Sequence, residues 1–276
     1  MSLFICSLNS GSNGNCYYIG NNKEAILVDA GISCREVERR MKRLGLSMQN
    51  VKAVFISHEH WDHIKGIPVL AKKYCLPIFI TIPTLQNGML RVNNNLIRDF
   101  EAYNPVSIGD LIITAFPKMH DAADPYSFTI SCNNVTVGVF TDIGTPCEHL
   151  IKHFKQCHAA FLEANYCDDM LTNGNYPYHL KERIRGDRGH LSNTQALELF
   201  INHRNDQLSH LILAHLSKNN NSPKLVEKLF RKHAGTTNIL VASRYEEMPV
   251  YSIGGSQKPV AVKKYSASSE AQLTLF

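Results

Sequence analysis

Short apolar runs, each closed by a polar or glycine-containing stretch, recur at residues 4–8, 16–19, 24–29, 51–57, 77–81, 110–116, 127–131, 135–141, 159–162 and 208–214. Their length and their content of Val, Ile, Leu and Phe predict β-strands. Between them, residues 33–44, 66–73, 192–205 and 222–233 repeat apolar positions at helical spacing. Turns are expected at Asn21-Asn22 and Asn133-Asn134. A β-rich chain with helices inserted throughout predicts central sheets covered outside by helices, an α/β fold of the αβ/βα four-layer sandwich type. Ser192 followed by Gln195, ahead of Leu197, Leu199 and Phe200, fits a capping box that starts a helix directly after Gly189-His190-Leu191.

The 276 residues suit one large domain. From Gly254 the apolar pattern fades, which makes residues 1–253 the expected folded domain and 254–276 a flexible tail with an abruptly apolar end. At 44% hydrophobic and 19% charged the chain is neither disordered nor fibrous. No apolar run approaches the roughly 20 residues that span a bilayer, so no membrane partner is expected. Met1 to Ser7 lacks the parts of a secretory signal, and the eight cysteines never fall at CxxC spacing; both suggest reduced thiols in the cytoplasm. The net charge of +5 permits a polyanionic partner without requiring one.

Candidate chemistry concentrates where the run 51–57 ends, in His58-Glu59-His60-Trp61-Asp62-His63 followed by Gly66. Imidazoles and carboxylates this dense repel when protonated and lose solvation when buried, and a bound cation relieves both. The spacing is HxHxDH. It is not the helical HExxH of metalloproteases, because Asp62 stands four residues after His58.

This segment resembles the signature of the metallo-β-lactamase fold, Leu27-Val28-Asp29-Ala30-Gly31 is similar to the strand and Asp that support it, and the similarity extends through most of the chain. The resemblance implies two divalent ions, Zn²⁺ or Mn²⁺. His58, His60 and His120 would bind one, Asp62, His63 and His215 the other, and Asp142 would bridge them. His120, Asp142 and His215 follow apolar runs in the order the family requires. Asp29 is expected to accept the outer N–H of a ligand imidazole and fix its tautomer. The remaining histidines, His149 and His153 among them, are expected at the surface.

Paired cations serve lactams, thioesters and phosphodiesters alike, so the centre alone names no substrate. The oxygen-rich donor set suits phosphate, and Gly189-His190-Leu191-Ser192-Asn193 is similar to the His-containing loop of RNase Z and related nucleases of this fold. It opens a predicted helix, where anions are favoured and His190 would protonate a leaving oxygen. The preceding residues 181–188 supply local cations. Together with Gly11-Ser12-Asn13-Gly14-Asn15, His120-Asp121-Ala122, and His215-Leu216-Ser217 with Asn219-Asn220-Asn221, these segments resemble the YycJ-like (WalJ) subgroup. That implies a 5′-to-3′ DNA exonuclease of DNA mismatch repair, with RNA as the alternative nucleic acid. Asp62 and His190 would be catalytic, and Asn15, Arg185, Arg188 and Ser192 would meet substrate phosphate. Where the subgroup has an Asn-His-Asp run, this chain has Asn165-Tyr166-Cys167-Asp168, so no histidine acts there. The tail residues Gln272, Leu273, Leu275 and Phe276 resemble the peptide by which bacterial replication and repair proteins dock on the DNA sliding clamp. The alternative function is hydrolysis of a small molecule, by a lactonase, thioesterase or cyclic-nucleotide phosphodiesterase on the same fold.

Overall fold

The computed structural model describes residues 2–254, so the residues expected to dock on a clamp, Gln272, Leu273, Leu275 and Phe276, lie outside the described residues. One sheet contains β1 (Leu3–Asn9), β2 (Cys16–Gly20), β3 (Ala25–Val28), β4 (Val51–Phe55), β5 (Ile78–Phe79) and β6 (Ile97–Arg98). The second contains β7 (Val106–Ile108), β8 (Leu111–Pro117), β9 (Tyr126–Cys132), β10 (Val135–Phe140), β11 (Ala159–Glu163), β12 (His210–Ala214) and β13 (Asn238–Val241). The chain then returns as β14 (Tyr251–Ile253), antiparallel to β1 with Leu3 opposite Ile253. Each sheet is antiparallel on one side and parallel on the other, the parallel strands being β3 to β6 and β10 to β13. Parallel strands deliver their C-terminal ends to one rim, where sites of open α/β sheets form.

Alternating side chains divide between two layers. Ile5, Tyr17, Val28 and Phe55 of the first sheet meet Phe128, Val137, Phe161 and Ile212 of the second in a central core. The opposite faces carry Leu8, Leu27 and Val54 against α1 (Cys34–Arg43) and, beyond the four-residue α2 (Trp61–Ile64), α3 (Ile67–Tyr74). On the second sheet, Phe140, Leu162 and Leu213 share an outer core with helical residues, while α4 (Ile82–Asn87) belongs to the first half. Those helices are α5 (Glu148–Phe154) and, past α6 (Asp168–Asn173) and α7 (Tyr178–Arg185), α8 (Asn193–His203) and α9 (Pro223–Arg231). Strands covered on both faces are apolar at consecutive positions, which is why the runs read as they do. The result is the αβ/βα sandwich.

The Ser192 hydroxyl accepts from Gln195 N at 3.1 Å and the Gln195 side chain accepts from Ser192 N at 2.9 Å, the reciprocal cap expected of this pair. Asn133 and Asn134 both take positive φ in the β9–β10 turn. The run 77–81 yields only the two residues of β5, because Thr81 already caps α4, whose first turn holds Pro83. His153 is not at the surface: α5 turns it inward with Leu150 and Phe154, and its ring stacks on Phe116 at 4.0 Å between centroids. Among the described residues no helix is long and apolar enough to cross a membrane.

Candidate metal centre

The HxHxDH segment is held by main-chain hydrogen bonds before any side chain acts. Asn15 N donates to the Asp62 carbonyl at 2.6 Å, Gly31 N to Asn15 O at 2.8 Å, Ala30 N to His63 O at 2.9 Å and Gly66 N to Ala30 O at 2.7 Å. Gly31 lies so close that a Cβ there would stand 1.6 Å from the Asp62 oxygen. Only glycine fits that approach. Asp29, Asp142 and His215, each just past the end of a strand, take φ of 59°, 57° and 54°. Three non-glycine residues in the left-handed region at one rim mark a locally strained site.

Three of the imidazoles, His58, His63 and His120, are oriented by the partner of their outer nitrogen. Asp29 Oδ2 lies 2.7 Å from His63 Nδ1 and accepts the Ser57 hydroxyl at 2.8 Å, while Ser57 Oγ lies 2.9 Å from His58 Nδ1. His120 Nδ1 donates to the Gly189 carbonyl at 3.0 Å. These contacts fix Nδ1–H tautomers and leave the Nε2 lone pairs facing inward. His58 Nε2 meets His60 Nδ1 at 3.1 Å, and His120 Nε2 meets the same atom at 3.3 Å. This His58–His60–His120 cluster is one donor group with the reach of a single cation.

A second group joins Asp62, His63 and His215, and a third, Asp142, Glu163, His190 and His215, adjoins it through His215. Asp142 spans the clusters, with Oδ2 3.2 Å from His63 Nε2 and Oδ1 3.3 Å from His215 Nδ1 and 3.9 Å from His120 Nε2. Glu163 is absent from the expected set. Fully buried at the end of β11, it places Oε1 2.8 Å from His190 Nδ1 and 2.9 Å from His215 Nδ1, and Oε2 accepts from Ile143 N and Leu191 N. Its one signal in the sequence is an apolar run closed by a carboxylate, the same signal that singles out Asp142. Lys118, buried beside the centre, donates to Thr141 O at 2.7 Å, and burial lowers its pKa.

Electrostatics separates the clusters. Burial, then the neighbouring His63 and Lys118, pushes His58 well below the ordinary imidazole range, and burial takes His120 down to about 3. Burial opposes the charge on His63 too, yet Asp142, Asp29 and Asp62 outweigh it and raise His63 to about 10. His215 is likewise held well above its usual value against burial, by Asp142, Asp62 and Glu163. Asp62 and Glu163 fall to about 2 despite burial, the first through His63 and His215, the second through His190 and His215. Asp142 Oδ2 and His215 Nε2 are buried without a hydrogen-bond partner among the described residues. Orphaned donor atoms aimed into a set of imidazoles and carboxylates fit divalent cations.

Two residues expected to meet substrate phosphate do not face a substrate. Asn15 is fully buried: its amide donates to Asp62 Oδ2 at 3.1 Å and lies 3.0 Å from His63 Nε2, while its oxygen accepts from Gly11 N and Tyr17 Oη. Ser192 is buried and its hydroxyl is committed to the cap of α8. Both stabilise the protein's own donors. Arg185 is half-buried and bonds Thr172 Oγ1, whereas Arg188 is exposed. His190 sits between His120 and His215 with ring centroids 5.3 Å from each, and Tyr166 is buried where the expected histidine is missing, pairing as an isolated bridge with Ser192.

A family model described as the beta-lactamase superfamily domain matches residues 24–215. The chain is 35% identical over 229 residues to a protein of Bacillus anthracis named exodeoxyribonuclease YycJ, a match covering 82% of this chain and 86% of that one. It is 31% identical over 223 residues to exodeoxyribonuclease WalJ of Streptococcus pneumoniae, covering 79% and 83%. Among solved structures, the metallo-beta-lactamase fold protein YhfI from Bacillus subtilis matches with a TM-score of 0.71 at 17% identity, over 91% of this chain and 100% of that one.

Proposed function

The chain belongs to the beta-lactamase superfamily and is a metal-dependent hydrolase, and on that premise we propose that it is a nuclease, specifically a 5′-to-3′ DNA exonuclease acting in DNA repair. The observation that carries the reading is identity above 30% across most of the chain to two proteins named exodeoxyribonuclease, joined to donor groups that suit phosphodiester hydrolysis. His58, His60 and His120 would hold one cation, Asp62, His63 and His215 the other, with Asp142 shared. Zn²⁺ or Mn²⁺, when bound, supplies a lowered pKa for water and neutralises charge on phosphate oxygens.

The chain's own groups do the rest. Asp29, Ser57, the Gly189 carbonyl and Glu163 hold ligand rings in the tautomers that present lone pairs. Glu163 also pins His190 Nδ1, which leaves Nε2 to pass a proton to the leaving oxygen of the scissile phosphodiester. Trp61, 68% exposed between His60 and Asp62, offers a face on which a nucleobase stacks. Arg188, exposed just before the His190 loop, meets the phosphate backbone.

The test incubates the full chain, loaded with Zn²⁺ or Mn²⁺, with end-labelled oligodeoxynucleotides and with a lactone panel. Stepwise release of mononucleotides from the 5′ end is expected. Lactone turnover without shortening of DNA overturns the proposal.

A further inference from the structure

A cavity of about 260 Å³ opens beside the candidate metal centre, and none of the donor residues lines it. Leu216, Val241 and Ala242 give it an apolar floor, and Lys218, Ser243 and Arg244 lie around it. The segments that build it leave β1, β12 and β13 at the ends that also carry the centre. Leu216 directly follows His215, and Ser10, whose hydroxyl accepts the His215 amide at 2.8 Å, forms a shared wall.

The cations around it are uncommitted. Arg244 Nη2 donates to Ser12 Oγ at 3.2 Å, whereas Nη1 is buried with no partner among the described residues. Within the described residues, neither Arg244 nor Lys218 takes part in any of the Lys or Arg ion pairs. Arg244 and Lys218 thus lie at the cavity without a carboxylate to neutralise them, and an anion entering it gains charge-assisted bonds from their side chains. At about 260 Å³ the cavity lies just under the roughly 300 Å³ at which small-ligand pockets begin, which limits an occupant to a part of one nucleotide at a time and excludes a duplex. An inorganic anion would leave the apolar floor unused, and a bare nucleoside would leave the cations unused.

We infer that this cavity receives the phosphorylated terminal nucleotide of the strand under cleavage, its phosphate on Arg244 and Lys218 and its nucleoside on Leu216 and Val241. The inference rests on the nuclease reading and deepens it: a small subsite adjoining the centre, with Ser10 common to both, makes the enzyme work inward from a strand end.

Isothermal titration of the full chain with thymidine 5′-monophosphate, thymidine 3′-monophosphate, thymidine and inorganic phosphate tests it. One of the monophosphates is expected to bind more tightly than both thymidine and inorganic phosphate, and the better of the two identifies the end that is held. Arg244→Ala and Lys218→Glu should each weaken that binding by about tenfold or more, the range set by losing a hydrogen bond to a charged group. Lys218 is exposed, so Lys218→Glu decides the matter if Arg244→Ala lowers the melting temperature. Monophosphate binding that neither substitution weakens, or that is no tighter than binding of inorganic phosphate, overturns the inference. Failure of the nuclease reading shows separately, as DNA left intact by the metal-loaded chain, and the titration remains readable in that event.

Discussion

His58, His60 and His120 face one another as three imidazoles, whereas Asp142, Glu163, His190 and His215 interleave two carboxylates with two imidazoles. In the first cluster burial holds His58 and His120 below the ordinary imidazole range, which favours free lone pairs, and Asp142 at its edge supplies the negative charge. In the second, the carboxylates raise His215 against burial and are themselves lowered by the imidazoles, so opposite charges organise the cluster. The imidazole cluster depends on ring orientation, and the mixed cluster depends on charge. A substitution that removes charge but preserves shape therefore separates them.

The largest effect is expected from Asp142→Ala, because this residue touches both sides. DNA cleavage should fall by about 10³-fold or more, as when one member of a concerted catalytic set is lost. Elemental analysis should show less than one equivalent of metal per chain; a full equivalent retained would mean that Asp142 is not shared between the two cations. Glu163→Gln keeps the volume and removes the charge that both His190 and His215 rely on. Activity should drop by about 10- to 100-fold, the usual consequence of losing a carboxylate behind a ligand imidazole. About one equivalent of metal should remain, and a protein stripped of both would erase the contrast between the clusters. The smallest effect concerns a histidine outside both of them. His153→Phe keeps the stack on Phe116 and removes two buried nitrogens that lack partners among the described residues. The melting temperature should rise by the equivalent of about 1 kcal/mol with metal content unchanged. A fall of that size would show that those nitrogens are paired.

The same division decides what the sequence discloses. His58, His60, Asp62 and His63 are legible because one strand end and one helical turn present them within six residues, and so dense a set of imidazoles and carboxylates is costly to bury without a cation. The sandwich is legible because doubly covered strands leave consecutive apolar positions. Glu163 is not legible, since a lone carboxylate at the end of an apolar run has no spacing partner; only the fold brings it to His190 and His215. Asn15 and Ser192 mislead for a related reason. Polar residues beside glycines or at a helix start suggest ligand contacts, yet both satisfy backbone and side-chain groups of the protein itself. His153 misleads because sequence reveals its helix but not how its partners close over it.

The braid that ties residues 14–15, 29–31 and 62–66 together, with no space for a Cβ at Gly31, bears on how this scaffold can be re-engineered. Chain length cannot vary there, because one inserted residue would break the main-chain ladder and swing the ligands of both clusters. Grafted loops and fused modules belong instead at exposed positions such as Gly45 or Tyr178, outside that ladder. New recognition surfaces added at those points would leave the inherited chemistry in register.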